Sequence, residues 1–480
     1  MPNRPLGGPR IDLDQPALRC DYLREPPLVF GDGHTHGDPK GGILTHGPRS
    51  YSQPNRHPAT VRVGFIGSAT GTELSLKWLH RCSLGFDGDQ KHVRFPGFAA
   101  DRGFFSNLVF DPQWSALITQ SELQDIIQTR QKRARFENAL RLLDSKLDLL
   151  RRKDLPPQYV VVCPPQELYN CCRAVEYKDK KLGTVHRDLR RAFKGLAMKH
   201  QIPTQLIREQ TADWKDEDHY SKICWNFFTG LYFKAGGVPW GPTGLSPGTC
   251  YMGVSFYRHI GTKLKKMHTG LVQAFDENGD GLVLRGPDFE WDAEKEGTAS
   301  PHLTEDLAAQ LVNLVLERYD REIGRPPARI VVHKSSRFWE AEKRGFERAI
   351  RGRVQQYDLT ALQPQSVIRL LPASNYPPLR GTRFSVGDLD FLYSTGFLAD
   401  LGQYHSMHVP SPLQISDHVG SDTPREQILR EVLVLTKMNW NSARLGGLLP
   451  ITLRFSRLVG NILKEMPEDV DPLPNYKFYM

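Results

Sequence analysis

Cysteine is scarce in this chain and follows no pattern. Seven occur in 480 residues, at Cys20, Cys82, Cys163, Cys171, Cys172, Cys224 and Cys250, with no Cys-x-x-Cys spacing. An odd, scattered set argues against a disulfide framework and a structural zinc site, and for reduced thiols in cytoplasm. Long apolar runs are missing as well. The stretch Tyr159–Cys163 is among the longest, far short of the roughly 20 residues that span a bilayer, so no membrane partner is expected. Residues 1–10 are rich in Pro, Gly and Arg with no apolar stretch behind them, so no secretory leader is expected. Heptads and internal repeats are also absent.

What remains is an ordinary soluble composition, 39% hydrophobic and 24% charged. At about 150 residues per domain the length allows two or three domains. Lys and Arg outnumber Asp and Glu by 63 to 54, a formal charge of +9. That surplus suits a polyanionic partner, though many basic proteins bind none.

Residues 1–57 are rich in Gly, Pro and His and read as an arm, disordered over 1–15, with a strand at 27–30. From Val61 the pattern changes to strand 61–67, helix 72–82, helix 120–152, strand 159–163, helix 188–200 and strand 202–207. Strands alternating with helices predict an α/β unit with a parallel sheet. After residues 236–240 come a strand at 250–258, a hairpin at 270–284, a helix at 304–322, a strand at 328–333 and a helix at 336–351. That order resembles an RNase H-like layout.

Three motifs invite a chemical reading. The stretch 64–71 (Gly-Phe-Ile-Gly-Ser-Ala-Thr-Gly) follows a strand but fits neither dinucleotide nor P-loop spacing, so a plain glycine turn is favoured over a nucleotide-dependent enzyme. Asp276, Asn278 and Asp280 imitate a calcium loop whose twelfth position is Pro287, which cannot ligate. His34 and His36 lack a third metal ligand at sensible spacing. A fourth pattern carries more. Arg190 and Lys194 lie one helical turn apart, Gln205 follows eleven residues on, and Lys234 precedes a Gly-Gly pair. Two cations and an amide meeting at a helix end would suit a terminal phosphate.

The stretches 201–207 (Gln-Ile-Pro-Thr-Gln-Leu-Ile), 225–240 (Trp-Asn-Phe-Phe-Thr-Gly-Leu-Tyr-Phe-Lys-Ala-Gly-Gly-Val-Pro-Trp), 250–257 (Cys-Tyr-Met-Gly-Val-Ser-Phe-Tyr), 435–441 (Leu-Thr-Lys-Met-Asn-Trp-Asn) and 449–453 (Leu-Pro-Ile-Thr-Leu) resemble the prokaryotic Argonautes. More narrowly, they resemble the short Argonautes that keep only the MID and PIWI domains, over roughly residues 25–480. The resemblance implies an arm at 1–57 packing on PIWI, a Rossmann-like MID domain at 58–235 and an RNase H-like PIWI domain at 236–480. It places the guide's 5′ phosphate on Arg190, Lys194, Gln205 and Lys234, with Tyr169, in the loop after strand 159–163, stacking on the 5′ base. Thr436, Lys437, Asn439, Asn441 and Arg454 would line the guide–target channel; Asn439 and Asn441 could equally cap and turn the chain. The aromatic ending 475–480 should be buried, with Met480 holding a structural Mg²⁺ at the guide phosphate.

Two departures bear on chemistry. Ser255 stands in the Gly-x-Asp context of the first PIWI carboxylate, and Lys334 in the Arg-Asp-Gly context of a later one. Neither supplies an anionic metal ligand, so the chain is expected not to be an enzyme. The implied function is guide-directed recognition in prokaryotic immunity, with a short guide RNA and a complementary single-stranded DNA target. The implied partner is an APAZ-containing effector subunit of TIR, sirtuin or nuclease type, forming a heterodimer that can oligomerise on target binding. The rival expectations are a self-sufficient Argonaute nuclease with displaced catalytic residues and the nucleotide-dependent enzyme above.

Overall fold

The computed structural model describes residues 18–480 except 181–182, 217, 261–265, 276–280, 285, 299, 366, 405–407, 422, 467–469 and 471. Residues 1–15 and the start of the calcium-loop mimic, 276–280, therefore lie outside the described residues.

Two sheets organise the chain. In the first, Thr60–Gly67 (β1), Asn107–Leu117 (β2), Tyr159–Cys163 (β3) and Thr204–Leu206 (β4) run parallel in the order β4–β3–β1–β2. Covered on both faces, β1 and β3 are almost wholly apolar, as a parallel sheet requires. The glycines of β1 serve packing. A Cβ on Gly64 would stand 2.8 Å from the Pro157 ring, and one on Gly67 2.6 Å from the Cys163 carbonyl oxygen.

Two local readings change. The predicted helix 120–152 is two helices, Gln120–Ile127, closed by a Thr119–Glu122 capping box, and Lys132–Arg151; Gln131 between them is extended. The strand β2 has no counterpart in the sequence reading. Its Asn, Asp, Pro and Gln hide it, because it is an exposed edge whose pairing with β1 slips around Asp111–Trp114, where a strand proline is tolerated.

The second sheet has ten strands among the described residues. Its centre is Thr249–Tyr257 (β5), flanked by the antiparallel Lys266–Phe275 (β6) and the parallel Arg329–Lys334 (β7); Gln356–Pro364 (β8) runs parallel beyond β7. The predicted hairpin forms, as β6 pairs Gly281–Leu284. Helices Glu305–Ile323 and Glu340–Ile350 bury against Cys250, Met252, Val254, Ile330 and Val332 on one face. Helix Ile451–Leu463 crosses the other face so closely that a Cβ on Gly253 would stand 2.2 Å from the Thr452 carbonyl oxygen. The arm contributes Arg19–Tyr22, which extends the sheet beside Thr382–Ser385.

A single aromatic cluster joins the two sheets, including Trp78, Trp225, Tyr232, Trp240, Trp440, Tyr476, Tyr479 and Met480. The aromatic ending is buried, as its composition implies. No helix among the described residues is long and apolar enough to cross a membrane.

Candidate anion-binding site

Leu189–Ala197 is amphipathic and starts at Asp188, whose side chain accepts from the Arg191 amide. Lys194 sits on its buried face, 2% exposed. Tyr220–Lys234 delivers Lys234, 1% exposed, as its last residue. Both ammonium groups donate to the Thr204 carbonyl oxygen of β4 at 3.2 Å, and Lys234 also donates to Gln205 Oε1 at 2.6 Å. Lys194 donates as well to a terminal oxygen of Met480, the last residue of the sequence. Burial holds both lysines well below the ordinary ammonium range, and the charge of Lys234 and Arg190 adds to this for Lys194, that of Arg190 for Lys234.

Arg190 is exposed, one turn before Lys194 on the same helix. Tyr169 is half-buried and within electrostatic reach of Arg190. It stands on a helix, Gln166–Cys172, and not in a loop; Leu168 and Cys172 are the buried pair, four residues apart, that fix this turn. The structure thus brings Arg190, Lys194, Gln205, Lys234 and Met480 together, with Tyr169 beside them. Two buried ammonium groups carry more charge than the Met480 terminus against Lys194 can balance, so a further anion would supply the remaining counter-charge.

The glycine turn at 64–71 is not such a site. Ser68 caps the helix Ala69–Ser83 by accepting from Gly71 N–H. Glu209 then accepts from the Ser68 hydroxyl at 3.4 Å and from the Gln166 amide at 2.9 Å. A protein carboxylate occupies the strand-to-helix turn and would repel a nucleotide phosphate. Nothing in the sequence around Glu209 announces this role.

At the carboxyl ends of the central strands, register separates two residues that the sequence sets together. Val254 pairs with Lys334, so Lys334 shares a face with Val254 and Phe256, while Ser255 faces the other way. Lys334 is buried in an ion pair with Glu342 at 2.5 Å, beside His302, which stacks on Trp339. Ser255 Oγ is buried with no hydrogen-bond partner. On its side His333 bonds the Thr452 hydroxyl at 2.8 Å, and burial holds that imidazole down to about 3. Ser255 and Lys334 therefore do not face one pocket, and the structural pairing of Lys334 with Glu342 was not legible in the chain.

The channel residues divide. Lys437 is a correction. It is 1% exposed, donates to the Pro26 and Gly37 carbonyls at 2.6 and 2.7 Å, and pairs with Glu25 at 2.9 Å. Its charge is spent holding the arm. Thr436 is buried too, accepting from Arg380 at 3.0 Å. Asn439 accepts from the Asn441 amide at 3.3 Å, a chain-turning role. Asn441 and Arg454 are half-buried. Arg454 lies in the first turn of helix Ile451–Leu463 and lines a cavity of about 390 Å³ with Arg444, Ser394 and Thr395.

Comparison with solved structures decides the fold. Over 95% of this chain, the Clostridium butyricum Argonaute bound to a guide DNA and a 19-mer target DNA superposes with a TM-score of 0.65 at 15% identity. The chain has an Argonaute-like fold. Aquifex aeolicus Argonaute (described as A. aeolicus) matches at 0.57 and 16% identity over 95% of the chain. The Marinitoga piezophila Argonaute in complex with a 5′ OH guide RNA matches at 0.59 and 12% over 96%. This Argonaute-like chain spans 54%, 54% and 59% of those three proteins. No protein-family model matches it, and no curated protein sequence matches it.

Proposed function

We propose that this chain holds a short guide strand by its 5′ phosphate and uses the guide's bases to select a complementary target. The observation that carries the reading is the pair of buried ammonium groups, Lys194 and Lys234, converging on Thr204 beside Gln205 in the fold of proteins solved with guide DNA and guide RNA. Protein contacts fix the strand end, and base pairing reads sequence, a division of labour known in other guide-loaded effectors. Tyr169 would stack on the first base, and Asn441 and Arg454 would meet the backbone further along.

In this reading the chain is a short Argonaute with an inactive PIWI domain. Ser255 and Lys334 leave the strand ends without the carboxylates that two-metal cleavage needs. Its output is then an APAZ-containing effector of TIR, sirtuin or nuclease type, switched on by guide and target together in prokaryotic defence. RNA is the proposed guide and single-stranded DNA the proposed target.

A structural Mg²⁺ would rest on the terminal carboxylate of Met480, an anionic oxygen ligand of the kind Mg²⁺ takes. A Met480 main-chain oxygen meets the Lys194 ammonium in the structure, and guide phosphates would complete the shell.

The test is a binding titration with 5′-phosphorylated and 5′-hydroxyl oligonucleotides, RNA and DNA, with and without EDTA. The reading requires preference for the 5′ phosphate; equal affinity for both ends overturns it. Loss of that preference in EDTA would assign the ion a part, and its persistence would remove Mg²⁺ from the proposal.

A further inference from the structure

A second cluster lies away from the lysine pocket, where residues 84–95 fold back on the start of helix Tyr220–Lys234. The segment is closed by a bridge between Phe86 and Phe95. At its tip Asp89 accepts the Lys91 and His92 amides at 2.7 Å. The helix grips the same segment: Ser221 donates to the Val93 carbonyl, and the Trp225 indole to the Val93 and Arg94 carbonyls at 3.2 and 3.1 Å. His219, the N-cap of that helix, is thereby held against the tip, its ring stacked on His92 at 4.5 Å. Asp89, His92 and His219 place one ligand atom each within 4.8 Å of one another.

We propose that these three side chains form a binding site for Zn²⁺, with water as the fourth ligand. Two imidazoles and one carboxylate are a borderline-soft donor set of the kind that zinc takes. Bonds of about 2.1 Å in a tetrahedral site separate ligand atoms by about 3.4 Å. Asp89 Oδ2 lies 3.0 Å from His92 Nδ1 and 3.7 Å from His219 Nε2, on either side of that figure. The side chains are 47%, 29% and 32% exposed, so an ion has a path in.

Loading has a definite structural consequence. The rings lie in nearly parallel planes, 4° apart, so their in-plane lone pairs cannot meet on one ion. One ring must turn about χ2, a soft torsion. Ligation through His219 Nε2 also puts the ring proton on Nδ1, which ends the long 3.3 Å bond it accepts from the Ser221 amide. The ion would clamp residues 84–95 to the first turn of the helix whose last residue is Lys234. The inference stands on its own ligands and does not depend on guide binding.

The full chain is titrated with Zn²⁺ against a chromophoric chelator, alongside His92→Ala, His219→Ala and Asp89→Asn. A fourth protein, His34→Ala with His46→Ala, removes the other stacked histidine pair and controls for adventitious binding. One Zn²⁺ per chain is expected in the wild type and this control. Each of the three variants should bind it at least 10–100-fold more weakly, the range that loss of a mere second-sphere partner costs. Co²⁺ should give tetrahedral visible absorption in the wild type and the control, and in none of the three variants. Equal Zn²⁺ binding by wild type and all three variants, or none at micromolar free ion, would overturn the site and leave a hydrogen-bonded Asp–His pair.

Discussion

Lys194 and Lys234 donate to one acceptor, the carbonyl oxygen of Thr204, each at 3.2 Å. Forty positions apart in the chain, they arrive from two helices, and the one acidic group among their hydrogen-bond partners is the Met480 terminus, against Lys194. Desolvation and mutual repulsion make this arrangement costly in the free protein. A strand-terminal phosphate would offset the cost.

Replacing Lys194 and Lys234 by alanine should therefore weaken binding of a 5′-phosphorylated guide by about 1.5–3 kcal/mol per lysine. A 5′-hydroxyl guide should lose little. Filter-binding or fluorescence titrations on both guides make the comparison, and equal losses would reduce the lysines to general backbone contacts.

Guide affinity should fall as pH rises through the range in which the two lysines lose their protons. Both lysines are depressed in the free protein, so they shed protons at a lower pH than ordinary lysines. The phosphate, with a second pKa of about 6, is already a dianion there. Its binding raises both lysine pKa values, so the complex takes up protons. Affinity is full below the depressed pKa values of the free protein and is lost as pH climbs from there through the higher values in the complex. Calorimetry in buffers of different ionisation heat measures the uptake; its absence, with flat affinity between about pH 7 and 10, would rule the mechanism out.

Lys334→Met should destabilise the fold by about 3–5 kcal/mol, because the buried Glu342 would lose its cation and keep only His302 and the Leu303 and Trp339 amides. The double change Lys334→Met with Glu342→Leu should recover much of that loss in chemical denaturation. A single variant as stable as the wild type would show that the pair contributes nothing.

Incubated with guide, complementary DNA or RNA, and Mn²⁺, the lone chain should leave the target intact. A cut at a fixed position opposite the guide, abolished by a substitution in this chain, would revive the nuclease reading.

Lys437→Ala should loosen the arm. Glu25 would lose one of its two cationic partners, the other being Arg380, at a cost of a few kcal/mol. Limited proteolysis should cut earlier within residues 18–57, while target affinity of the folded fraction stays unchanged. A drop in target affinity at unchanged stability would return Lys437 to the channel.

Some of this protein was determined by sequence alone. The strands Thr60–Gly67 and Tyr159–Cys163 are legible because sheets covered on both faces demand continuous apolar runs. The aromatic ending is legible because exposing it would be costly. The order of Arg190, Lys194, Gln205 and Lys234 was readable through resemblance. The convergence of the two lysines on Thr204 was not, since no local pattern reports how two helices close over a strand.

Tertiary structure alone decided the rest. The polar edge strand Asn107–Leu117 exists because β1 lends it a pairing partner. Lys437 is a tether and not a channel cation because Glu25, some four hundred positions away, is folded against it. Ser255 and Lys334 are parted by register, which aims neighbouring positions of paired strands at opposite faces. In each case the deciding partner is distant in sequence. A charged side chain's role depends on whether that partner neutralises it in the core or leaves it for a ligand.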